Sequence, residues 1–152
     1  MAGDETMECS RTTGAVAYLT GDARYPQVKG QVRFLPRADG VLISAQISGL
    51  PKTTTGFFGF HIHEGDRCGG VEFADTKSHY DTMGNGHPEH AGDLPPLLSA
   101  GGKAYLCVIT DRFRVEQVLG RTVVVHLGAD DFTSQPAGNA GAKIACGRIV
   151  RG

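Results

Sequence analysis

The sequence has no tryptophan, and its four cysteines, Cys9, Cys68, Cys107 and Cys146, are widely separated. With no CxxC pair, a thiolate zinc site is disfavoured, and one disulfide or none is expected. Charge of neither sign dominates: 15 Lys and Arg against 16 Asp and Glu give a net −1. That balance argues against a nucleic-acid-binding surface and against an acidic disordered chain. No apolar run approaches the roughly 20 residues of a membrane-crossing helix, so no membrane span is expected. The opening residues MAGDETMECSRTT lack the basic start and apolar stretch of a secretory signal. This favours the cytoplasm, with a secreted or periplasmic site open if a leader has been removed. Residues 1–13 are expected to be a flexible terminus and residues 14–152 one domain, a length sufficient for a real core.

Glycine is abundant, at 22 of 152 residues, and short β-branched or aromatic runs recur. They are GAVAYLT (14–20), KGQVRFLP (29–36), VLISAQISGL (41–50), GFFGFHIH (56–63), KAYLCVIT (103–110), RTVVVHL (121–127) and AKIACGRIV (142–150). A further short strand is expected near Phe113 in DRFRVEQV. No long segment carries a helical hydrophobic period. The expected fold is all-β: a single-domain, eight-stranded Greek-key barrel or sandwich. Two connections, 64–102 and 128–141, are too long for plain turns and are expected to be functional loops.

The six histidines are the chemical signal. His61 and His63 lie two apart on one strand, so they project from the same face, opposite Phe58, Phe60 and Ile62. His126 ends another strand, opposite Val123 and Val125, and offers a third ligand. The loop segment SHYDTMGNGHPEHAGD (78–93) adds His79, His87, His90 and Asp93 at the short spacings of zinc sites. Asp81 and Glu89 are also potential donors but are read as solvated. Imidazole-rich sets suit copper, and a set with one carboxylate suits zinc. Six histidines and one aspartate make two such sites if one histidine serves both metals.

These motifs resemble the copper/zinc superoxide dismutase family. The resemblance runs from about residue 14 to 150 and rests on GFHIHE, on HYD through GHPEHAGDLPP, on GRTVVVHLGADD and on GNAGAKIACGRI. The compact metal loop is more similar to bacterial members. The resemblance implies copper held by His61, His63, His79 and His126, and zinc held by His79, His87, His90 and Asp93. His79 would bridge the two as an imidazolate. Asp130 matches an aspartate that hydrogen-bonds one histidine of each set, fixing ring orientation and tautomer. Cys68 and Cys146 match an intrasubunit disulfide. Cys107, in mid-strand, is expected to be a buried free thiol. Cys9 is expected to be a reactive or intermolecular thiol.

The implied reaction is conversion of superoxide to oxygen and hydrogen peroxide by one-electron cycling of copper, with zinc structural. His79 would carry a proton during the cycle. One position departs from the family: Lys143 stands where an arginine normally attracts and holds the anion. The charge survives but the planar fork of donors does not, so steering should persist and anion placement loosen. The segment TSQPAG also carries few charges. The alternative is a non-catalytic copper- and zinc-binding barrel that buffers metal. A homodimer is compatible with the family, whose dimer surfaces differ.

Overall fold

The computed structural model describes residues 14–152. Nine strands form: β1 (Ala15–Gly21), β2 (Lys29–Arg37), β3 (Gly40–Ser48), β4 (Phe57–Phe58), β5 (Phe60–His63), β6 (Leu97–Leu98), β7 (Ala104–Thr110), β8 (Thr122–His126) and β9 (Lys143–Arg151). Seven of them make one antiparallel sheet in the order β5-β8-β9-β1-β2-β3-β7, while β4 and β6 pair separately. β7 lies at one edge and β8 next to the other, so the chain crosses over between them in a Greek-key link.

Alternation decides which face is buried. In β2, Val32 and Phe34 are fully buried while Gln31 and Arg33 face outward. The same core takes Ala17 and Leu19 from β1, Ile43 and Ala45 from β3, Phe60 and Ile62 from β5, and Val123 and Val125 from β8. Strands from both ends of the sheet share one core, so the sheet curls upon itself. Burying each large side chain contributes roughly 1.5–3 kcal/mol.

The run 56–63 divides at Gly59. A Cβ there would lie 2.7 Å from that of Ala140, so only glycine lets the second long loop approach. Gly59 donates to Gly128 and accepts from His126, which carries β8 past the break. The connection 64–102 holds a short 3-10 segment, Val71–Thr76, as well as β6.

The expected strand near Phe113 does not form. Residues Val115–Val118 make one helical turn instead. Val115 and Val118 are both buried, a spacing that suits a helical turn, and Gln117 Oε1 accepts from the Arg114 amide at 2.7 Å.

The Cys68–Cys146 disulfide is present, with a Cα–Cα distance of 5.8 Å and a sequence separation of 78. It ties the first long loop to β9, and closing a loop of this length contributes about 4–5 kcal/mol in the chain-entropy account. Cys107 is not a buried free thiol. It is only half-buried and is disulfide-bonded. The reason is strand parity: Cys107 shares the outward face of edge strand β7 with the exposed Tyr105 and Ile109. Cys9 lies outside the described residues.

Candidate metal centre

Edge strand β5 carries His61 and His63, and the first long loop runs along it as an incomplete extra strand. Asp93 lies beside His61 and His79 beside His63 in antiparallel bridges. The amide of Ile62 donates to Gly92 at 2.9 Å, and that of Tyr80 donates to Ile62 at 2.8 Å. His126 enters from neighbouring β8, where the β8–β9 register shifts between Val125 and His126. Such a bulge re-aims a side chain. It sets His126 opposite Lys143.

The result is a buried histidine cluster. His61, His63, His79 and His126 offer one ligand atom each, all within 4.8 Å of one another. His61, His79, His87 and Asp93 form a second group on the same criterion. His90 stands slightly apart from that group but its Nδ1 is 3.0 Å from Asp93 Oδ2. Asp81, read from sequence as solvated, accepts instead from the amides of Asn85 and Ala91 and so shapes the loop. Glu89 is exposed.

Besides His79, whose Nδ1 bonds Asp93, four of the rings have one nitrogen committed to the protein. Asp130 accepts from His61 Nε2 at 2.8 Å and from His87 Nε2 at 2.7 Å. His63 Nδ1 donates to the Lys77 carbonyl at 2.8 Å, and His126 Nδ1 donates to that of Gly141 at 3.1 Å. In neutral rings these bonds leave His61 Nδ1, His63 Nε2, His87 Nδ1 and His126 Nε2 as lone-pair acceptors. Two of them, His63 Nε2 and His126 Nε2, lie only 3.2 Å apart. Facing lone pairs repel unless a cation sits with them.

The orphaned atoms are consistent with this. His61 Nδ1 and His79 Nε2 are buried without a hydrogen-bond partner, and His87 Nδ1 and His90 Nδ1 face Asp93 Oδ2 at 3.1 and 3.0 Å without hydrogen-bonding geometry. Each such atom costs about 1–3 kcal/mol in the absence of a ligand. The donor set therefore fits copper and zinc: imidazole nitrogens in one group, imidazoles with a carboxylate in the other.

Electrostatics keep His63, His79 and His126 in the form metals need. Burial, and then the charge His126 would carry, hold the pKa of His63 well below its ordinary value. Burial and then His61 lower that of His126 to about 3. His79 is lowered by burial, against the opposing hydrogen bond to Asp93. Burial would raise the pKa of Asp130, but hydrogen bonds from His61 and His87 overcome it and hold the carboxyl far below the usual range. Asp93 is lowered in the same way, chiefly by His79. Neutral imidazoles beside ionised carboxylates are ready ligands.

The copper/zinc superoxide dismutase family model matches residues 28–149. The chain belongs to that family. Among its relatives, Cu-Zn superoxide dismutase 2 of Aquifex aeolicus is 34% identical over 138 residues, covering 81% of this chain and 80% of that one. The Cu-Zn superoxide dismutase of Legionella pneumophila is 33% identical, covering 89% and 85%. Among solved structures, a double mutant of a SOD-like protein from Bacillus subtilis superposes with a TM-score of 0.75. It is 27% identical, and the match covers 89% of this chain and 96% of that one.

Within this superoxide dismutase fold, Gln135 and Arg112 support the centre without any local sequence signal. Gln135, from the second long loop, clamps the backbone of His87 on both sides. Its Oε1 accepts from the His87 amide at 2.8 Å and its Nε2 donates to the His87 carbonyl at 2.7 Å. Arg112 donates to the carbonyls of Pro88 and His90 at 2.7 and 3.1 Å. Lys143 is half-buried, and its Nζ donates to Thr76 Oγ1 at 2.7 Å and to the Lys77 carbonyl at 3.0 Å. Burial lowers its pKa from the ordinary lysine value.

Proposed function

We propose that the chain converts superoxide to oxygen and hydrogen peroxide, with Lys143 in the place of the family's guiding arginine. His61, His63, His79 and His126 are the copper ligands in this reading, and His79, His87, His90 and Asp93 the zinc ligands. The observation that carries it is the position of His79. This ring and His61 both belong to the two ligand groups, but the second nitrogen of His61 is taken by Asp130, whereas that of His79 faces Asp93. Its Nδ1 lies 2.7 Å from Asp93 Oδ1, and its Nε2 is buried and unpartnered beside the other rings. When bound, copper supplies the one-electron oxidation and reduction of superoxide, and zinc supplies structural order.

The rest of the task falls to the chain's own residues. Lys143 attracts the anion and offers it an N–H. His79 Nε2 takes up one proton and returns it to the reduced product, and solvent supplies the second proton that hydrogen peroxide needs. Asp130 keeps His61 and His87 in the tautomer that leaves their Nδ1 atoms free. Burial excludes water from the ligand atoms and strengthens every charge interaction among them.

Loading the protein with copper and zinc, counting bound metal and assaying superoxide removal tests the reading. The expected outcome is close to one copper and one zinc per chain with fast turnover. Full metal content without turnover would favour the metal-buffering alternative. Lys143→Met should lower activity and weaken its dependence on salt while metal content stays intact. His126→Ala should lose copper and keep zinc; equal loss of both would undo the division of ligands.

A further inference from the structure

The family resemblance accounts for a cation at position 143 but not for how a lysine is held there. A lysine stem has four flexible carbons, and its ammonium lacks the pre-organised fork of arginine. Something must fix it if the anion is to meet a defined donor.

Thr76 has the geometry to do so. It closes the 3-10 segment Val71–Thr76 and is fully buried. Its hydroxyl donates to the Phe73 carbonyl at 2.7 Å. That bond fixes the hydroxyl hydrogen and leaves the oxygen lone pairs for Lys143 Nζ, 2.7 Å away. The Thr76 backbone is held in turn, because its carbonyl accepts from Gly65 at 2.8 Å. The neighbouring Lys77 carbonyl takes the second ammonium hydrogen at 3.0 Å, and the same oxygen accepts from His63 Nδ1 at 2.8 Å. Lys77 presents that oxygen from φ 62 and ψ −142, a backbone region that side-chain-bearing residues rarely enter.

An ammonium has three donors. Two are occupied by Thr76 and Lys77, so one remains. The ammonium shares the Lys77 carbonyl with His63 Nδ1, and Lys143 stands opposite His126 in the β8–β9 pairing, so the remaining donor lies near these two rings. We infer that Thr76 is a positioning residue: its hydroxyl holds the Lys143 ammonium so that a single N–H is left for a small anion at the histidine cluster. This inference rests on the proposed role of Lys143 as the anion-attracting residue.

The test compares Thr76→Val, which keeps the volume and removes the hydroxyl, with Thr76→Ser, which keeps the hydroxyl. Azide serves as the anion probe, titrated into the copper- and zinc-loaded full chain and followed by copper(II) absorption. A second readout is the rate at which an amine-acylating reagent modifies Lys143, measured by peptide mass spectrometry with and without metal. Thr76→Val should bind azide roughly tenfold more weakly, the loss expected for a hydrogen bond to a charged group. It should also expose Lys143 to acylation several-fold faster, on the order expected when a charge-assisted bond is removed. Thr76→Ser should match the parent protein in both.

Two results overturn the inference while leaving the role of Lys143 standing. One is parental azide affinity and acylation in Thr76→Val when Lys143→Met does weaken azide. The other is a Thr76→Ser variant as impaired as Lys143→Met, a comparison that does not depend on the valine variant folding. Unchanged azide affinity in Lys143→Met would remove both the inference and the reading beneath it.

Discussion

Asp130 accepts one hydrogen bond from His61 and one from His87, each through Nε2. An amide in its place keeps the size but presents an NH2 group to at least one ring, forcing a change of tautomer or a lost bond. Asp130→Asn should therefore weaken metal binding by about 10–100-fold, the usual cost of losing such an orienting partner. Competition with a chromogenic chelator measures it, and an unchanged affinity would show that orientation is not needed. The histidines also set an acid limit for the metal-free protein. His126 binds its proton at about pH 3 in the folded chain, against the ordinary histidine value of 6.5 once the chain unfolds. Between those values the unfolded chain binds more protons, so stability rises with pH across the window. The metal-free protein should become less stable as pH falls from 6.5 towards 3, a trend that denaturant titrations at successive pH values will follow. A flat profile would mean that His126 is protonated in the fold.

The second long loop reaches the centre through Gly138, whose φ is 71°. A Cβ at this position would run into Asp130 Oδ1 and His87 Nε2. Gly138→Ala combines a strained backbone with a steric clash against the orienting hydrogen bonds, and should cost roughly 2–4 kcal/mol. Chemical denaturation of the metal-free variant reads the effect, and a loss below about 0.5 kcal/mol, the level of an ordinary surface change, would contradict the packing described. Such elements mark the boundary of what the sequence makes legible. β2 follows from alternation, β1, β3, β7 and β9 follow from runs of β-branched and aromatic residues, and the pairing of His61 with His63 follows from strand parity. The short helix at Val115 escapes because a single turn leaves too few residues to show a period. The roles of Gln135, Arg112 and Thr76 escape for another reason. Each acts on a residue at least 22 positions away, with no local pattern to announce it. The half-exposure of Cys107 escapes because β7, apart from Thr110 at its end, has no polar residue to mark the outward face.

At the scale of the molecule, the centre joins the β5 edge, the end of β8 and the first long loop. A bound cation is thus a cross-link between parts of the chain far apart in sequence. Each site filled at 100 times its dissociation constant adds about 2.7 kcal/mol to folding. Two sites together should raise the melting temperature by roughly 10–20 °C in a domain of this size. Scanning calorimetry with and without a chelator checks this, and equal melting temperatures would show that metal does not engage the folded state. The disulfide acts on the same loop by a different route, pinning Cys68 to β9 whether or not metal is present.

The shared carboxylate of Asp130 has a thermodynamic consequence. In the proposed division of ligands it grips His61 of the copper set and His87 of the zinc set, so an ion that fixes one ring also steadies the other. The two ions are then not independent ligands but reciprocal effectors, linked by one coupling free energy. The first to arrive removes part of the ordering cost for the second, and loading should be cooperative even between different metals.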